Sequence, residues 1–185
     1  MSICIGSTWT GSMWVERIRR SLTGLAAAIT LIAASVAGQE LRLEPHQELA
    51  RELFRELVEI NTVESEGTAV AVEAMARRLL AAGFSEEDVQ IVGPNDRKAN
   101  LVVRLRGRDT GRAPILLLAH LDVVEALPSD WTIDPWTFTE RNGYYYGRGV
   151  TDDKDEAAIY TANLIRYKQE GFVPDRDIIV ALTAD

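Results

Sequence analysis

The sequence predicts an α/β fold, with helices alternating with short apolar strands in a layered sheet. Three observations lead there. Residues 44–61 and 67–84 carry apolar side chains at helical spacing. Four runs, "VQIV", "ANLVVRLRG", "APILLLAHLDVV" and "RDIIVALTAD", are short, rich in Val, Ile and Leu, and bounded by turn-forming residues. A further helical stretch, residues 155–171, separates the last two of these runs.

The elements follow in order. "EPHQELARELFRELVEIN" places Leu49, Leu53 and Leu57 four apart, and Phe54, Val58 and Ile60 widen that stripe. Pro45 suits its first turn, where a missing N–H costs nothing. His46 lies on this helix, is expected to be exposed, and is given no role. "GTAVAVEAMARRLLAAGF" is a second helix, stopped by Gly83 just past its end. "VQIV" and "ANLVVRLRG" are strands. "APILLLAHLDVV" shows no alternation, as expected of a strand buried on both faces. "DEAAIYTANLIRYKQEG" is a helix ending at Gly171, and "RDIIVALTAD" is another buried strand. The aromatic residues between them, Trp131, Trp136, Phe138 and Tyr144 to Tyr146, are expected to pack a long connection against the sheet; lining a substrate is the alternative.

Residues 1–37 read as a secretory signal. Arg17, Arg19 and Arg20 precede the apolar run "LTGLAAAITLIAASVA", and Ser35 and Ala37 stand as in a cleavage site. Met13 is an alternative start. The run is short against the ~20 residues a bilayer span needs, so an uncleaved anchor is the second reading. The Arg19–Arg20 pair is a weak sign of twin-arginine export. The expected location is therefore periplasmic or secreted, with a membrane involved only through an uncleaved signal.

Composition narrows the chemistry. The 185 residues are 46% hydrophobic and 26% charged, as in an ordinary globular domain. The net charge is -8, and no basic cluster follows the first twenty residues, which argues against nucleic acid as a partner. Without residues 1–37 the chain keeps 17 Lys and Arg against 27 Asp and Glu. Cys4 is the sole cysteine, so neither an intrachain disulfide nor a thiolate cluster can form. Any metal must be held by histidine and carboxylates.

The candidates stand at a strand end and a glycine turn. In an open α/β sheet, ligands gather beyond the carboxyl ends of strands. His120 ends "ILLLA", and Asp122, two residues on, is expected to face the same crevice. A neutral imidazole is a good ligand for a divalent metal, and a neighbouring carboxylate can fix its tautomer. By itself this pair also suits a structural histidine. In "YYYGRGVTDDKDEAA", residues 144–158, Gly147 and Gly149 allow a tight turn, followed by Asp152 and Asp153 before a helix. One aspartate suffices to cap a helix. Two adjacent carboxylates repel unless a cation or donors hold them, which favours metal ligation by one of them.

Together, "LLLAHLDVV", "NGYYYGRGVTDDK" and "ALTAD", in this order and on these elements, resemble the M20 metallopeptidase family from about residue 45 onward. The family includes bacterial dipeptidases, glutamate carboxypeptidases, succinyl-diaminopimelate desuccinylases and aminoacylases. The resemblance implies a three-layer α/β/α zinc-peptidase-like catalytic domain with a central mixed sheet, incomplete in this chain. It implies metal-dependent cleavage of amide or peptide bonds by two Zn2+ ions, with Co2+ or Mn2+ as alternatives. The substrate would be a small peptide or an N-acyl amino acid. By position, His120 resembles the ligand of one zinc, Asp122 the catalytic aspartate that orients it, and Asp152 the carboxylate bridging both ions. The peptide after that aspartate is often cis in the family, so a cis Asp152–Asp153 bond is expected. Asp155 departs from the pattern, which usually has glycine there. The family's general base, remaining ligands and lid domain follow later in sequence. Residues 38–185 are thus expected to be the N-terminal part of a catalytic domain whose full-length form can be a homodimer. Two other readings stand beside this one: a truncated or inactive fragment, and a periplasmic small-molecule-binding α/β domain.

Overall fold

A computed structural model describes residues 42–109 and 111–184. The expected signal, residues 1–37, lies outside the described residues. No helix among them is long and apolar enough to cross a membrane.

Three helices and a mixed sheet build the unit. Helix α1, Pro45–Glu59, starts with proline at its first position, and the Gln47 side chain accepts the Glu44 backbone N–H at 2.8 Å. Its buried stripe is Leu53, Phe54, Leu57 and Val58, close to the predicted one. His46 is only partly buried on this helix. Helix α2, Ala69–Ala81, and helix α3, Lys154–Gln169, end alike. Gly83 and Gly171 adopt φ of 94° and 67°, a region open to glycine. Their N–H groups donate to Leu80 and Lys168, and those of Phe84 and Phe172 donate to Leu79 and Tyr167. These paired bonds satisfy carbonyls that a helix end leaves free.

Strands β1 (Val89–Val92), β2 (Asn100–Leu105), β3 (Ile115–His120) and β6 (Ile178–Thr183) form one sheet in the order β1-β2-β6-β3. The pairs β1–β2 and β2–β6 are antiparallel, and β3–β6 is parallel, so the sheet is mixed as expected. Among the described residues all three helices share one core with one sheet face, supplied by Leu101, Val103, Ala119, Val180 and Leu182. Small residues on α3, Ala157, Ala158 and Ala162, let α1 pack along it.

The opposite face corrects one expectation. Leu116 and Leu118 of β3 are 55% and 57% exposed, so this strand is covered on one side only among the described residues. A continuous apolar run shows that a strand suits burial; it does not show which element covers it.

The aromatic connection also differs from expectation. It contains a hairpin, β4 (Thr139–Arg141) and β5 (Tyr144–Tyr146), turned by Asn142 and Gly143 at φ 56° and 78°. The hairpin packs against α1 rather than the sheet. Phe138 and Tyr145 lie edge-on to Phe54, with centroids 5.2 and 5.6 Å away.

Candidate metal centre

The site forms where the carboxyl end of β3 meets the amino end of α3. Parallel pairing with β6 sets His120 opposite Thr183, and the Leu121 N–H donates to the Thr183 carbonyl at 2.8 Å. The glycine turn delivers Asp152 to the same place. Gly149 has φ 86°, and a Cβ there would come within 2.8 Å of Lys154 Cδ and 3.0 Å of Val123 Cγ1. A side chain at Gly147 would lie 2.6 Å from Val58. Both glycines are therefore required by close approach. The Asp152–Asp153 peptide is cis.

His120 and Asp152 converge: Nε2 and Oδ1 stand 2.8 Å apart. On the other side of the ring, Nδ1 lies 3.0 Å from the Asp122 backbone oxygen and 3.5 Å from its carboxylate Oδ1. The nearer partner is thus the main chain. A carbonyl only accepts, so Nδ1 carries the hydrogen. Nε2 then presents its lone pair to a carboxylate. Such a pair is held together by a proton or a metal cation. Burial opposes protonation of His120, but the hydrogen bond to Asp152, the Asp122 carbonyl and the two nearby negative charges outweigh it and raise its pKa above the usual value. Imidazole and carboxylate are a donor set that suits zinc or a similar divalent ion. No group of three or more His, Cys, Asp or Glu side chains that could hold a metal ion gathers among the described residues. Asp122 Oδ1 is buried without a hydrogen-bond partner.

Thr62 and Lys154, given no role by the sequence reading, and Asp153, offered there as a helix cap, frame this pair. Thr62 is fully buried; its hydroxyl donates to the Leu121 carbonyl at 2.6 Å, and its own carbonyl accepts the Val123 N–H at 3.2 Å. Asp122 is thereby bracketed on both sides. Lys154 is also fully buried. Its Nζ donates to the Leu57 and Ile60 carbonyls at 2.9 and 2.7 Å and lies 5.9 Å from the centre of the Trp136 ring. Burial lowers its pKa from 10.5 to about 7. Asp153 Oδ2 accepts the His120 backbone N–H at 3.1 Å. Burial raises the Asp153 carboxyl pKa, opposed by that amide. Beside Asp122 a cavity of about 470 Å³ is lined by Thr62, Glu64, Lys98, Val124 and Glu125, and neither His120 nor Asp152 contributes to its wall.

Comparison with known proteins agrees with the motifs. Residues 116–185 match peptidase family M20/M25/M40. The chain is 38% identical over 82 residues to the N-fatty-acyl-amino acid synthase/hydrolase PM20D1 of Xenopus tropicalis, covering 44% of this chain and 16% of that protein. It is 31% identical over 135 residues to the succinyl-diaminopimelate desuccinylase of Delftia acidovorans, covering 72% of this chain and 35% of the enzyme. The chain thus spans about a third or less of these relatives. The fold is that of human carnosine dipeptidase 1, with a TM-score of 0.61 at 21% identity over 75% of this chain and 32% of that one. The segment that matches peptidase family M20/M25/M40 holds the glycine-turn aspartates and the paired strands β3 and β6, so the likeness falls on the elements that build the site.

Proposed function

We propose that the chain is part of a metal-dependent hydrolase that cleaves an amide bond next to an amino acid through a two-zinc site. One observation carries this reading: Nε2 of His120, whose other ring nitrogen faces a carbonyl, meets the Asp152 carboxylate at 2.8 Å. His120 would hold one ion and Asp152 would bridge both. When bound, the ions would lower the pKa of water and polarise the substrate carbonyl. The protein's own contribution is placement. Asp122 keeps the imidazole in the Nδ1–H form through its main-chain oxygen, and its negative charge steadies the ring. Thr62 fixes the backbone on either side of Asp122.

The relatives support a substrate class: one is named an N-fatty-acyl-amino acid synthase/hydrolase and another a succinyl-diaminopimelate desuccinylase. An N-acyl amino acid or small peptide is the substrate we propose here. The leader-like residues 1–37 support export, which N-terminal sequencing of the mature protein would check.

The test is metal analysis with turnover on the full-length protein. His120→Ala and Asp152→Ala are each expected to lose bound zinc and hydrolysis of N-acyl amino acids and dipeptides. Asp122→Ala is expected to lose about 10–100-fold in metal affinity or activity, as for residues that orient a ligand. Full zinc content and turnover in His120→Ala would refute the reading.

A further inference from the structure

Asp153 stands at the N-cap of α3, where an aspartate ordinarily accepts N–H groups of its own first turn. It makes no such bond. Its Oδ2 instead accepts the backbone N–H of His120 at 3.1 Å, 33 residues away in sequence.

Sheet geometry explains why that amide needs a partner. Successive N–H groups along a strand point to opposite edges. The Leu121 N–H points toward β6 and is taken by Thr183. The His120 N–H therefore points toward the other edge of β3, where no strand pairs among the described residues. A partly buried backbone donor without a partner is unfavourable. Asp153 supplies the acceptor that the sheet does not.

We propose that Asp153 is a positioning residue of the metal centre: by holding the His120 backbone it sets the distance between the imidazole and Asp152. The two aspartates are adjacent, so the amino end of α3 supplies one ligand and holds the main chain of the other. His120 is gripped at two points, its amide by Asp153 and its Nε2 by Asp152. Any tilt of α3 then moves both ligands together. This inference rests on the proposed roles of His120 and Asp152 as ligands.

The test uses the intact polypeptide and two measurements: zinc affinity by competition with a chromophoric chelator, and exchange of the His120 backbone amide in metal-free protein. Asp153→Asn keeps an acceptor oxygen and should hold zinc affinity within about threefold, whereas Asp153→Leu should lose about 10–100-fold. The His120 amide should stay protected in Asp153→Asn and exchange like an open sheet edge in Asp153→Leu. Wild-type affinity and protection in Asp153→Leu would overturn the proposal. So would an Asp153→Asn variant as impaired as Asp153→Leu, since Asp153 would then act by charge or direct ligation. If Asp153→Leu does not fold, the amide still decides, because an unprotected His120 amide in the wild-type protein overturns the clamp. A wild-type protein that binds no zinc refutes the metal reading instead, and amide exchange then decides the clamp by itself.

Discussion

Lys154 is fully buried near the site, with its Nζ on two carbonyls and beside an indole ring. The carbonyls belong to Leu57 and Ile60 at the carboxyl end of α1, and that of Leu57 also accepts the Ile60 N–H at 3.3 Å. Lys154 thus ties the end of α1 to the start of α3, just beyond Asp152. The arrangement carries a signed pH dependence. The folded value, about 7, lies below the ordinary 10.5. Above 10.5 the amine is neutral in both states, and burial of charge costs nothing. Between the two values the unfolded chain holds a proton that the folded chain lacks, so stability rises with pH by up to about 1.4 kcal/mol per unit. Below about 7 the cost is constant. Denaturant unfolding of wild type and Lys154→Met across this range isolates that contribution. The stability difference should shift in favour of wild type as pH rises, and a flat difference would mean that the ammonium is not disfavoured by burial.

How far such residues can be read in advance depends on how local their chemistry is. His120 was legible because an imidazole ending a leucine-rich strand stands out, and Asp152 because it follows a glycine turn. Helix α3 was expected to start near Asp155 and starts at Lys154; its stop at Gly171 was anticipated. Thr62, Asp153 and Lys154 were not legible as supports. Their partners lie 59, 33, and 94 to 97 residues away, and no spacing rule links them. Asp153 looked like a cap because short-range preference suggests one, and a long-range amide took its carboxylate instead. The β4–β5 hairpin had its Asn-Gly signal in plain sight, but the run of aromatics around it read as packing.

The helix ends and the glycine turn invite a paired test. Gly171 has φ 67° and nothing within 4 Å of an added Cβ, so Gly171→Ala meets backbone strain alone. It should cost about 1–2 kcal/mol, and asparagine, which tolerates this region better, should cost less. Gly149 combines φ 86° with a collision against Lys154 and Val123. Gly149→Ala should therefore destabilise more than Gly171→Ala. It should also weaken zinc binding by the full-length protein, because the side chains it displaces adjoin Asp152 and Asp122. Thermal melts rank the two variants, and chelator competition separates them. Equal zinc affinity in both would mean that the turn holds the chain without shaping the site.

All the described helices cover one face of the sheet, and the other face presents Val102, Leu116, Leu118, Ile179 and Ala181. Leu116 and Leu118 alternate along β3, the strand at the sheet edge, and both are more than half exposed. Apolar area next to an unpaired strand edge favours association, since side chains and backbone groups both gain partners there. The site lies at the end of that same strand, so association through β3 would also pull on His120. Light scattering of the 185-residue chain at increasing concentration should show self-association that Leu116→Lys with Leu118→Lys reduces. Neither leucine points into the helix-packed core, so the double variant should keep the wild-type circular dichroism. Loss of folded structure on these two changes would instead place both side chains in a core, against the exposure seen here.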